Sequence, residues 1–257
     1  MLIPLRVVEA NARVYRRTWM GSAMTTFLSP VLFLAAMGLG LGSIIDRNPA
    51  AEGLGDAGYL AFIASGLLAA TAMQTGATEG SWPVMAGIKW IKTYHAALAT
   101  PVGVGDLVAG NLLWMGVRVT LSAGAFAIVS AVLGALSPVE VLASLPAAIL
   151  TGMAFAAPVT AYTAIAKDET RLSSLFRFAI VPMFLFSGTF FPIEQLPGWL
   201  QPVALVTPLW HGVELCRSSA IGFETALNPL VHLGYLGLWT AGGWWFARRN
   251  LHKRLQP

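Results

Sequence analysis

Two things are scarce in this sequence: cysteine and charge. Cys216 is the one cysteine in 257 residues, which excludes an internal disulfide and any metal site built from several thiolates. Asp, Glu, Lys and Arg together make up 11% of the chain, against roughly a quarter in a soluble globular domain. Motifs that carry nucleotide or hydrolytic chemistry are missing too. No G-x-x-x-x-G-K-[ST] occurs, so the chain has no P-loop of its own, and neither H-E-x-x-H nor G-x-S-x-G is present. The four histidines, His95, His211, His232 and His252, fall in separate segments. As a sequence pattern they offer no pair of ligands at matched depth, and neither a metal nor a haem site is expected.

Apolar residues fill the space that charge leaves. They reach 56% of the chain, and the mean hydropathy is +0.67. Their distribution decides the fold class. Residues 18–45, 57–78, 119–139, 141–166 and 225–247 contain no Asp, Glu, Lys or Arg. Each interval is long enough to cross a hydrocarbon core, which takes about 20 helical residues. The chain therefore reads as an all-α polytopic membrane protein. Residues 1–11 include Arg6 and Glu9 without a small-residue cleavage site behind a short apolar core, so the first apolar stretch reads as a retained span and not as a signal peptide.

A net charge of +4 and a pI near 9.5 would suit a nucleic-acid partner, but the placement of the basic residues points elsewhere. Arg6, Arg13, Arg16 and Arg17 precede the first span, and Lys89 and Lys92 fall between the second and third. Lys167, Arg171 and Arg177 surround the fourth-to-fifth connection; Arg248, Arg249, Lys253 and Arg254 follow the last span. With six crossings, all of these lie on one side, leaving only Arg47 and Arg217 opposite and Arg118 within a span. Short basic segments mark the cytoplasmic face, so both termini are expected inside. The spans are expected at about 22–45, 58–79, 107–136, 140–166, 174–192 and 228–247. The fifth is the shortest uncharged run, and after it residues 195–213 are uncharged but carry Pro197, Pro202 and Pro208. Proline costs a helix interior roughly 3 kcal/mol, so a seventh crossing is not expected. Residues 193–225 read as a broken hairpin dipping into the outer leaflet, or as an ordinary external loop.

Three further segments carry pattern. Leu5, Val8, Ala12, Tyr15 and Trp19 recur at steps of three and four, with Arg6, Arg13 and Arg17 on the opposite side. Residues 1–20 are thus expected to form an amphipathic helix in the inner interface; the plainer reading is a basic cytosolic tail. Residues 80–106 form the largest cytoplasmic interruption, where Lys89 and Lys92 sit among Trp90, Ile91 and Tyr94. Such a surface lies on lipid headgroups or docks a soluble partner, and Asp106 is expected to cap the third span. Arg118 is costly inside a span; an ion pair with Glu79, snorkelling to the headgroups and a substrate contact are the readings open to it.

Function is suggested by resemblance. The stretch Arg177-Phe-Ala-Ile-Val-Pro-Met-Phe-Leu-Phe-Ser-Gly-Thr-Phe-Phe-Pro-Ile-Glu-Gln-Leu-Pro197, continuing to Thr207-Pro-Leu-Trp-His-Gly-Val-Glu-Leu-Cys-Arg217, resembles the C-terminal half of type-2 ABC transporter permeases. It is most similar to the branch containing the nodulation protein J lipo-oligosaccharide exporters and actinobacterial drug-efflux permeases. Leu98-Ala-Thr-Pro101, Leu113-Trp-Met-Gly-Val-Arg118 and Leu145–Ala157 support the resemblance, which covers most of residues 58–222. Ser65-Gly66 departs from it, since Pro-Gly is expected there.

The resemblance implies a permease subunit of an exporter in the bacterial cytoplasmic membrane. It would form a homodimer in contact with membrane lipids, and two separate ATPase subunits would dock below. ATP and magnesium would bind those subunits, so this chain would hold no cofactor and be no enzyme by itself. The N-terminal helix becomes a connecting helix. Lys89, Trp90, Lys92 and Tyr94 become ATPase-coupling contacts. The proline-broken segment, with Pro192, Pro197, Pro208, His211 and Glu214, becomes a re-entrant hairpin closing the outer end. Met73, Phe184, Phe186, Phe190 and Phe191 become candidates to line a path for an amphiphile. Two other functions compete: a membrane scaffold or immunity protein, and a lipid-modifying enzyme, for which Asp106, His95 and Asp168 form no recognisable set.

Overall fold

A computed structural model describes residues 3–36, 40 and 58–256, and no strand occurs among the described residues. Helix α1 (Ile3–Leu34) is followed by α2 (Gly58–Met85), a π-helical turn (Ala86–Trp90) and the short α3 (Thr93–Leu98). Then come α4 (Val104–Val132) and α5 (Pro138–Ile165). Next are α6 (Glu169–Leu175), a second π-helical turn (Phe176–Ile180) and α7 (Val181–Phe186). Helices α8 (Gln201–Val206), α9 (Pro208–Ile221) and α10 (Pro229–Leu255) follow. Three of these stretches, Gly58–Trp90, Val104–Val132 and Pro138–Ile165, are long and apolar enough to cross a membrane.

Local chemistry sets the helix starts. Ser137 accepts from the Glu140 amide at 3.3 Å, and the Glu140 carboxylate accepts from the Ser137 amide at 2.6 Å. This reciprocal pair satisfies two otherwise orphaned donors at the start of α5. Thr207-Pro208 and Asn228-Pro229 open α9 and α10 with a capping oxygen followed by a proline at the first helical position.

Small residues set the packing. Helix α5 lies at the centre, against α2, α4, α9 and α10. A Cβ on Gly76 would fall inside the Gly152 carbonyl, and one on Gly80 would lie 2.7 Å from the Ala156 oxygen. Thr163 Oγ1 then donates to the Gly80 carbonyl at 2.9 Å. Close backbone approach of this kind replaces the hydrophobic drive that lipid removes. On the other side, α10 meets α5 where Gly243 packs onto Pro158. Helix α1 crosses the start of α4, with Gly110 under Val7 and Asn11 donating to Asn111 at 3.1 Å.

Several boundaries differ from the expected ones. Helix α1 shows no break at residues 20–22, where an interfacial helix was expected to give way to a span. Gly21 is the sole breaker there, and one glycine costs only about 1 kcal/mol. The far end of that span, beyond residue 36, lies outside the described residues. Helix α2 continues through Pro83, so residues 80–85, expected in the cytoplasmic segment, extend the second span. Asp106 is not the cap of α4. The cap is Gly103, and the Asp106 carboxylate reaches back from the third helical position to accept its amide at 3.3 Å. The fifth helical stretch ends at Phe186 and not near 192, because Gly188 adopts φ +77° and turns the chain.

Candidate functional site

At the basic end of the molecule, the π-helical turn after α2 runs into Lys92, whose φ of 58° makes it the one described non-glycine residue in the left-handed region. The turn projects Trp90 and Ile91, which are 49% and 71% exposed, with Lys92 and His95 also exposed beside them. Lys89 Nζ and Trp90 Nε1 both reach Glu169 Oε1, at 3.2 and 3.1 Å. Its own backbone N–H, then Lys89, hold the Glu169 carboxyl below the usual carboxylate range. Tyr94, expected on the exposed face, is buried beneath Gly87, where an added Cβ would lie 2.7 Å from its ring. Burial pushes its hydroxyl pKa up. It braces the turn from below instead of presenting it. Asp168 is occupied in capping α6 through the Arg171 amide.

Deeper in, Arg118 Nε donates to Glu79 Oε1 at 2.8 Å, with both side chains 15% exposed. The guanidinium also lies 4.3 Å from the centre of the Tyr15 ring, and Tyr15 meets Trp114 edge-on. One ion pair thus joins α2 and α4, with α1 stacked across it.

The opposite end is built around residues 187–192. Arg217, only 3% exposed, donates from Nη2 to the Gly188 carbonyl at 2.9 Å and lies 3.6 Å over the Phe62 ring. The Ser187 and Thr207 hydroxyls lie 2.8 Å apart. Gly66 lets α2 approach this strap, since a Cβ there would sit 2.7 Å from the Thr189 oxygen. Helix α9 is almost wholly buried, and the Glu214 carboxylate accepts from the Ala226 amide at 3.0 Å. Pro208 starts α9; Pro192 and Pro197 border the 3-10 turn Ile193–Gln195 and the bend after it.

The proposed path residues do not share one wall. Met73 is fully buried within the chain, because its face of α2 is covered by other helices. Phe184 and Phe190 meet edge-on at 5.1 Å, and both contact Phe33 of α1. Phe191 packs beside Ile193, Leu196, Ala204 and Trp210. Phe186 is the exposed one, and it continues an apolar face with Phe178, Val181 and Leu185 that sequence reasoning left out.

The histidine reading is corrected most plainly. His211 on α9 and His232 on α10 lie 2.8 Å apart, Nδ1 to Nδ1, buried against Trp210 and stacked on Tyr235. A contact of that length needs one proton between the two nitrogens. His232 Nε2 has no hydrogen-bond partner. Twenty-one residues of separation conceal this pair in the sequence. Among the described residues, no group of three or more His, Cys, Asp or Glu converges as a metal site would require.

The profile of the ABC-2 type transporter family matches residues 6–221. The chain belongs to that family. Among curated relatives, nodulation protein J of Rhizobium meliloti (strain 1021) is 30% identical over 257 residues, covering 98% of this chain and 94% of the relative. Nodulation protein J of Rhizobium leguminosarum bv. viciae is 30% identical with the same two coverages. That of Sinorhizobium fredii (strain NBRC 101917 / NGR234) is 31% identical over 84% of this chain and 80% of the relative. The ABC-2 match takes in the exposed Trp90–Lys92 turn, the Arg118–Glu79 pair and the Arg217 strap. It stops just before α10, although α10 supplies His232 to the histidine pair.

Proposed function

We propose that this ABC-2 chain is the permease subunit of an ATP-driven exporter for an amphiphile, working as a homodimer with a separate ATPase in the bacterial cytoplasmic membrane. Six crossings with both termini inside would place the Trp90–Lys92 turn in the cytoplasm and the Arg217 strap outside. The observation that carries the reading is the single carboxylate of Glu169. It grips the exposed turn through Lys89 and Trp90 and is also the first residue of α6. From there α6 and α7 run as one helical stretch to Phe186, about 27 Å at 1.5 Å per residue. The stretch ends on the Ser187–Gly188 strap that Thr207 and Arg217 hold. A push on the turn therefore has a rigid route to the outer end. Work follows because the nucleotide-bound ATPase favours one arrangement of that route over another.

The exposed apolar face Phe178–Phe186 is the surface offered to the second copy and to the substrate. It carries no charge beyond Arg177 at its cytoplasmic end, which suits an amphiphile better than an ion. The test is co-expression with a candidate ABC ATPase subunit from the same genome. The wild-type chain should bring that ATPase through purification, and Ile91→Asp should lose it while keeping its own thermal stability. Purification free of any ATPase, or undiminished capture by Ile91→Asp, would remove the basis for the coupling role.

A further inference from the structure

An apolar groove of about 340 Å³ lies between α5 and α10, lined chiefly by Pro158, Ala161, Ile165, Leu238, Gly242 and Phe246. Its polar groups near the end are committed elsewhere: the Asn250 amide donates to the Ala161 carbonyl at 3.0 Å and the Tyr162 hydroxyl to the Arg171 carbonyl at 3.4 Å. The groove opens outward, since Leu238, Phe246 and Ile165 are 71%, 50% and 56% exposed. Its floor is vacant at Gly242, where an added Cβ would meet nothing within 4 Å.

Charge is arranged at one end only. Arg249 and Lys253 lie three and seven residues beyond Phe246, on the helix face that lines the groove. Both are exposed, and Arg249 lies 5.6 Å from the Trp245 ring. Arg254 is committed elsewhere, donating to the Thr163, Ala164 and Ala166 carbonyls that end α5. No Asp or Glu follows Glu224 in the chain. Of the acids nearest the end of α5, Asp168 caps α6 and Glu169 holds Lys89 and Trp90.

We propose that this groove is a binding site for an anionic phospholipid of the cytoplasmic leaflet. One acyl chain lies along Leu238, Gly242 and Phe246, and Arg249 and Lys253 meet the phosphate. An apolar slot between helices that ends in positive charge alone at the inner interface has the polarity of that ligand class and favours it over a neutral or cationic headgroup. The site rests on the orientation argued above, and not on transport, which its test does not require.

The test uses the full chain purified in detergent, with phosphatidylglycerol or phosphatidylcholine added and bound lipid read by native mass spectrometry. Wild type should retain phosphatidylglycerol about thirtyfold better, the factor that two basic residues beside a net anionic headgroup supply. Arg249→Gln with Lys253→Gln should bring it down to the phosphatidylcholine level. Gly242→Leu, whose Cβ meets nothing within 4 Å, should lower retention of both lipids. Equal retention of the two lipids by wild type, or no change in Gly242→Leu, overturns the site. A fall of the assembly to a single chain in Gly242→Leu also overturns it, by making the groove an interface between copies. Labelling of Lys253→Cys from outside the cell would instead overturn the orientation, which keeps the two failures distinct.

Discussion

Removal of either partner of the Glu79–Arg118 pair should cost more than its distance suggests, and removal of both should not cost the sum. The side chains are 15% exposed and 2.8 Å apart. Exposed pairs contribute about 0–1 kcal/mol, whereas stranding one member of a buried pair costs about 3–5 kcal/mol. Arg118→Leu leaves the Glu79 carboxylate without that partner and also empties the space 4.3 Å from the Tyr15 ring. Its cost should approach the lower buried limit, about 3 kcal/mol. Glu79→Gln keeps an oxygen acceptor and leaves the guanidinium on Tyr15, so about 1.5 kcal/mol is expected. The double variant strands no charge and should cost about 3 kcal/mol, giving a coupling of about 1.5 kcal/mol. Equilibrium unfolding of the four proteins in mixed micelles measures the cycle. Additive losses, with coupling under about 0.5 kcal/mol, would refute the argument that the pair acts as a unit.

The buried imidazoles make a parallel case at the other end. His211→Phe alone leaves His232 Nδ1 without its 2.8 Å partner, and that variant should lose about 1–3 kcal/mol, while the double Phe variant should recover part of it; a double variant worse than either single one in the same unfolding assay would argue against the shared proton. Glycines at the helix crossing should be sharply unequal. Gly76→Ala should destabilise by about 1–3 kcal/mol because its Cβ enters the Gly152 carbonyl, whereas Gly124→Ala, with nothing within 4 Å, should be neutral or better by thermal shift.

Much of the frame is legible without coordinates because a bilayer is a severe selector. Long uncharged runs mark α2, α4 and α5, and these three helices begin close to where those runs place them. Caps are legible as well, since Ser137 with Glu140 is a local device. Boundaries are harder to read where one residue decides between two geometries. Gly188 ends a helix that the apolar pattern alone would carry to Pro192, and a lone Gly21 fails to end one. Exposure is hardest of all. Tyr94 and Met73 have the chemistry of contact residues, yet each faces inward, while Phe178 and Val181 look like core and face out.

The sequence by itself determined that the chain is helical and membrane-embedded, and which family it resembles. Those properties depend on runs and local spacing, which neighbouring residues carry. The tertiary structure alone decided that His211 meets His232, that Arg217 locks the strap at Gly188, that Glu169 grips the exposed turn, and that Arg254 caps α5. Each of these contacts joins residues from about twenty to ninety positions apart. Their partners are set by how the helices cross, and the crossings are set by where Gly76, Gly152 and Gly243 let two backbones touch.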